Sequence, residues 1–153
     1  MEMQKYKMLL AAAVLAGMGS VVYAKGIPNV VLDKRNGIYW EDDQFSGQSS
    51  EDWDDAVSYC DKLLLGGMEK WRLPTFKELF SIVDYSRVKP AINTAFTFVD
   101  EGTYWTATDF APNLSRAWTI DFRTGKSFYS YKTTNHAVRC VKDVTAKAEK
   151  ENK

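Results

Sequence analysis

The stretch WRLPTFKEL, residues 71–79, sets the fold class of this chain. Thr75 and Glu78 stand three apart, the spacing of a capping box. In that motif a threonine hydroxyl and a glutamate carboxylate satisfy the first free amides of a helix reciprocally. Pro74 fixes the approach, and Phe76, Leu79, Phe80 and Val83 form the face to be buried, with Lys77 and Ser81 outside it. Glu78 is thereby accounted for as a cap. Trp71 is expected to pack where two helices meet. Arg72, between Trp71 and Leu73, is either a ligand-binding cation or the partner of a buried carboxylate or backbone carbonyl, and its apolar flanks favour the second. Trp71, Arg72, Leu73, Pro74, Thr75 and Glu78 therefore read as architecture.

A helix upstream is expected to start at Ser49 or Ser50, with Glu51, Asp52, Asp54 and Asp55 at the positive end of its dipole. Trp53, Ala56, Val57, Cys60, Leu63 and Leu64 make one apolar stripe at helical spacing, and Gly66-Gly67 ends it. Before it, NVVLD and GIYWE flank Asn36-Gly37 and read as a hairpin within Ile27–Glu41. After a linker holding Pro90 the pattern alternates. TYWTAT (103–108), RAWTIDF (116–122) and KSFYSY (126–131) read as strands, the last two joined across RTG. HAVRCVK (136–142) reads as the closing strand, on which Arg139 poses the same choice as Arg72. Strands, two helices and then antiparallel strands make an α+β domain.

The chain has 153 residues, and its first 24 read as an export signal. Lys5 and Lys7 precede the apolar run Met8–Met18, and Val22 and Ala24 occupy the two small-residue positions of a cleavage site. That run is shorter than the roughly 18–20 residues a spanning helix needs, so membrane contact would come only through an uncleaved signal. Residues 25–142 form the domain and 143–153 a charged flexible tail. Residues 1–24 carry Glu2, Lys5 and Lys7, so 18 of 20 basic and 19 of 20 acidic residues remain beyond them, a formal charge of −1. No cluster of Lys and Arg suggests a nucleic-acid partner. In an oxidising compartment Cys60 and Cys140 read as a disulfide. A redox or metal-binding pair finds no C-x-x-C and a single histidine, His136.

The succession GIYWEDD, AVSYCDKL, KWRLPTFKEL, YWTAT, AWTIDFRTG and AVRCVK resembles a bacterial domain found at the C-terminus of the collagen-like adhesin of Legionella. It is more distantly similar to the C-type-lectin-like fold shared with formylglycine-generating enzymes. The similarity runs from about Gly37 to Lys142. It implies two helices packed on a twisted antiparallel sheet, a disulfide from the first helix to the last strand, and binding of carbohydrate or matrix polymers.

The chemistry that such a fold can host is constrained by what stands in the sequence. Calcium-dependent sugar sites need converging oxygen ligands. Neither E-P-N nor Q-P-D occurs, and WTID (118–121) stands where a W-N-D would be, leaving Asp109, Asn113 and Asp121 as scattered oxygens. Formylglycine-type oxidation needs a free thiol, which bridged cysteines do not offer. His136 has no nucleophile elbow nearby. No metal or cofactor is implied. The irregular loop TATDFAPNLSR is where strands would present binding groups: Tyr104, Asp109, Phe110, Asn113 and Arg116 supply stacking faces, an acid, an amide and a cation, while Trp105 and Trp118 are read as core. The expected function is an exported non-catalytic binding or adhesion module for a glycan or an envelope or extracellular protein. The alternatives are an enzyme acting on envelope carbohydrate and a structural subunit of an envelope complex.

Overall fold

The computed structural model describes residues 22–145; the bulk of the expected signal and most of the expected tail lie outside the described residues. Seven strands and two helices follow in the order β1 (Tyr23–Ala24), β2 (Val30–Asp33), β3 (Ile38–Glu41), α1 (Trp53–Lys62), α2 (Phe76–Ser81), β4 (Thr103–Asp109), β5 (Arg116–Asp121), β6 (Lys126–Tyr131) and β7 (Val141–Asp143). The domain is α+β as expected. The antiparallel strands divide, however, into two sheets rather than one, ordered β1-β2-β3-β7 and β4-β5-β6.

The division has a local cause. The stretch expected to be one strand, 136–142, is strand only from Val141. Its first half crosses between the sheets: Ala137 N donates to Thr103 O and Trp105 N to Ala137 O, whereas Glu41 N donates to Cys140 O. Both faces of this crossing are covered, so Ala137, Val138, Arg139, Cys140 and Val141 are all buried. The guanidinium of Arg139 lies wholly inside the protein, donating to Glu41 O at 2.5 Å and to Phe98 O, with Asp42 at 3.4 Å. Arg139 thus ties the 96–99 segment to β3 and offers nothing to solvent.

The hairpin β2–β3 pairs Asp33 with Ile38, and its turn uses Gly37 at φ +63, a conformation only glycine adopts without cost. Asp33 closes the same turn by accepting from the amides of Arg35 and Asn36. β1 adds an edge strand ahead of the expected domain boundary at Lys25. Tyr23 pairs with Asp33, its ring meets Phe96 edge-on at 5.9 Å, and Lys34 N donates to Val22 O. At the other end β7 and Val144, whose amide donates to Gly37 O, carry the fold past residue 142.

α1 begins later than the serines suggest. Its N-cap is Asp52, whose side chain accepts from Asp55 N at 2.9 Å. Ser49 and Glu51 are otherwise engaged: the Ser49 hydroxyl accepts from Val138 N at 2.7 Å, and Glu51 bridges His136 in extended backbone. The helix also ends earlier, at Lys62, because Leu65 and Met68 close a tight turn over Gly66-Gly67. The apolar stripe is buried only at Ala56 and Cys60, with Leu64 left 67% exposed.

Cys60 and Cys140 are bonded at 2.03 Å, joining α1 to the segment entering β7. Around the bridge Ala56, Trp71, Leu73, Trp105 and Val138 form one core cluster; Trp40, Leu79, Ile82, Tyr104, Ile120 and Phe122 belong to a second.

Candidate functional site

The capping box opens α2 as read: Glu78 N donates to Thr75 Oγ1 at 3.3 Å and Thr75 N to Glu78 Oε2 at 2.7 Å. Arg72 has the carboxylate partner its flanks suggested. Nη1 and Nη2 each reach one Glu78 oxygen at 2.9 Å, and Nε and Nη2 reach Asp143 at 3.2 and 2.8 Å. Burial pushes the Glu78 carboxyl up, but Arg72 and the Thr75 amide together hold it below its ordinary value. The fork locks the helix start to β7, where Arg72 and Val141 also exchange backbone bonds at 2.8 Å. Trp71 is 2% exposed and donates its ring N–H to Met68 O.

Leu79 within α2 and Ile82 at its C-cap are fully buried and Val83 packs partly buried against the core, whereas Phe80, expected on the same face, is not buried. One residue is a turn of about 100°, so anchoring Leu79 rotates Phe80 outward, where it is 38% exposed and stacks on Phe76 at 5.6 Å. Phe76 is held in turn by β4. That strand slips by two residues against β5 between Trp105 and Asp109, and the irregularity frees groups that the helix start uses. Ala107 N donates to Pro74 O at 2.7 Å and Phe76 N to Thr108 Oγ1 at 2.9 Å. The ring of Phe76 is thereby placed 5.4 Å from that of Trp118.

Trp118, expected in the core, is half-buried at the centre of an aromatic surface. Phe110 and Tyr129 meet it edge-on at 5.4 and 5.8 Å and stack on each other at 4.0 Å. Pairing of β5 with β6 puts Arg116 opposite Tyr131 and Trp118 opposite Tyr129. Arg116 lies 4.1 Å over the Tyr131 ring and 5.4 Å from that of Tyr129, and donates to the Tyr131 hydroxyl at 2.5 Å. Its Nε is buried with no protein partner among the described residues. Tyr129 and Tyr131 remain 45% and 51% exposed on the edge strand.

Of the residues expected to bind, Phe110 and Arg116 are brought together here. Asn113 is nearby but occupied, its Oδ1 accepting from Ser115 N and Oγ at 3.0 and 2.6 Å to rigidify the loop. Asp109 is paired with Lys132 at 2.7 Å. Tyr104 leaves the set. It is fully buried, its hydroxyl donating to Ser46 O and accepting from Asp100 N, because its side of β4 faces the core. Asp121 does not converge with Asp109 or Asn113: it pairs with Thr103 at the far end of the strand pair and caps the β5–β6 turn. Among the described residues no group of three or more His, Cys, Asp or Glu is placed to hold a metal.

Sequence reasoning missed Phe76, Trp118, Tyr129 and Tyr131 as surface. The signal was present in KSFYSY, where Ser127, Tyr129 and Tyr131 share one face of a strand that, among the described residues, is the edge of its sheet. Two titratable groups lie elsewhere. His136 is half-buried against Trp105 at 4.6 Å rather than on the surface, and burial lowers its pKa. Burial pushes Glu41 up to about 7 against the opposing bonds from Tyr59 and Cys140 N; it is wholly enclosed and its carboxylate accepts from Tyr59 at 2.5 Å.

A family model described as the Lcl C-terminal domain matches residues 29–142, most of the chain. The chain belongs to that family. No curated protein matches it. Within this Lcl C-terminal domain the match begins at Asn29 and ends at Lys142. It spans both helices, the disulfide and the whole aromatic surface, so that surface is part of the family unit. A bridged cysteine pair fits an exported protein.

Proposed function

We propose that this Lcl C-terminal domain is an exported adhesin-like binding module that recognises carbohydrate through the surface formed by the 109–116 loop and the outer face of β5 and β6. In this reading the two helices and two sheets act as a C-type-lectin-like scaffold. The observation that carries it is the Arg116 guanidinium held 4.1 Å over the Tyr131 ring beside the stacked pair Phe110–Tyr129. Such a set costs little entropy to present, because the loop is closed by its own backbone bonds from Phe110 to Arg116. Aromatic faces with few placed polar groups are the common chemistry of small-ligand and glycan recognition.

A glycan array probed with the purified domain tests this. Saturable binding that falls at least ten-fold in Phe110→Ala and Arg116→Ala supports it. Turnover of a carbohydrate by the purified domain, or co-purification with an envelope protein without glycan binding, overturns it in favour of the enzyme or the structural subunit.

A further inference from the structure

A groove of about 500 Å³ runs between the start of α2 and the outer face of β5–β6, lined by Thr75, Phe76, Lys77, Thr108, Trp118 and Ser127. It lies beyond the loop surface but is continuous with it, because Trp118 forms one wall of the groove and also touches Phe110 and Tyr129. Its aromatic walls, Phe76 and Trp118, meet at 60°. Its rim carries the hydroxyls of threonine and serine and one ammonium, and none of its lining residues is a carboxylate.

We propose that this groove is the principal glycan subsite and that it takes an uncharged polysaccharide, pyranose rings stacking their C–H faces on Trp118 and Phe76. The inference rests on the carbohydrate reading above and adds the ligand class and the place. Charge decides the class. Neither Arg116, which keeps its charge beside Tyr131, nor Lys132, paired with Asp109 at 2.7 Å and lying 4.0 Å over the Trp53 ring, is among the lining residues. Lys77 alone brings a charge to the lining, too little to hold a polyanion against physiological salt. The extent fits a chain rather than a single sugar. Ser127, Tyr129 and Tyr131 continue along one face of β6, and four residues of strand span ~13 Å.

The position of Trp118 makes its fluorescence a reporter. The domain is titrated with soluble hydroxyethyl cellulose, laminarin and galactomannan as neutral probes, with alginate as a polyanion and with a polyproline peptide, at 0.05 and 0.5 M NaCl. Affinity electrophoresis in the same polymers provides a second readout. The expected result is binding of at least one neutral polymer that changes less than two-fold with salt. That binding falls ten-fold or more in Ser127→Arg, which fills the groove from an exposed position without touching the core, and in Phe76→Ala. Retained binding in both variants together with loss in Phe110→Ala overturns the groove but leaves the carbohydrate reading standing. Binding of alginate alone, lost at high salt, overturns the neutral class only. Binding of the peptide alone, or of none of the probes, overturns both.

Discussion

Arg72→Met removes the fork that joins the start of α2 to β7, and its cost follows from the geometry. Two charge-assisted bonds of 2.9 Å run to Glu78, whose side chain is 18% exposed; the bonds to Asp143 reach a side chain 69% exposed. Arg72 is itself 37% exposed, so solvent screens part of the attraction. Taking the lower part of the range for bonds to charged groups, the Glu78 arm contributes about 2 kcal/mol. The Asp143 arm contributes ~0.5 kcal/mol or less. At about 4 °C per kcal/mol for a domain of this size, Arg72→Met should lower the Tm by roughly 8–10 °C, and Asp143→Asn by ~2 °C at most. Glu78→Gln keeps a residue able to complete the capping box, so the double variant Arg72→Met/Glu78→Gln isolates the pair, with a coupling of about 1–2 kcal/mol. The pH dependence gives an independent check. Glu78 is held below its ordinary pKa, so its contribution is present above the unfolded value, about 4.3, and is lost as pH falls through the lower folded value. The gap between wild type and Arg72→Met should therefore close below about pH 4. Thermal melts read the Tm shifts, and urea melts from pH 3 to 7 read the coupling and its pH dependence. A coupling near zero, or equal losses in Arg72→Met and Asp143→Asn, would refute the assignment of Arg72 to Glu78.

Reduction of the disulfide, or Cys60→Ala/Cys140→Ala, releases a loop with a sequence separation of 80. The chain-entropy estimate puts the loss at about 4.5 kcal/mol, read from denaturation with and without reductant. Glu41 titrates in the opposite sense to Glu78. Its folded pKa of about 7 lies above the ordinary 4.5, so the stability of the enclosed protonated form is full below that ordinary value and is lost as pH rises through about 7. Glu41→Gln should flatten the fall in stability between pH 5 and pH 8; parallel curves for the two proteins would contradict it. A chain starting at Lys25 lacks Tyr23 and its contact with Phe96, together with the Val22 carbonyl that receives Lys34 N. It should be about 1–3 kcal/mol less stable than one starting at Val22 by the apolar area and hydrogen bonds removed; equal melts would place β1 outside the cooperative unit.

What could be read from the sequence was what depends on near neighbours. Thr75 and Glu78 announced the helix and Asn36-Gly37 the hairpin turn; the bridge spans a separation of 80 and was legible for another reason, that the sequence holds only two cysteines. The readings that moved were those where a distant segment competes for the same groups. Ser49 looks like a cap until Val138 takes its hydroxyl, and 136–142 looks like one strand until both sheets claim its backbone. Hydrophobicity alone places Trp118 inside. A large ring at a half-buried position satisfies that pattern equally well, and only the pairing with an uncovered edge strand separates the two.

The motif at 71–79 belongs to the scaffold by its bonds and to the candidate site by its consequence. Arg72 and Glu78 fix the helix start against β7, while Pro74 and Phe76 are held by the irregular stretch of β4. Those restraints act on the backbone that carries Phe76, the one wall of the groove that the sheet does not supply. Loss of the Arg72 fork would leave Trp118 and the β6 tyrosines in place, since they are set by strand pairing, and would free the facing wall. The groove therefore depends on a capping box and an ion pair that touch no ligand. This is a physical reason for so much polar chemistry to be concentrated in nine residues whose own functional groups are nearly all satisfied within the fold.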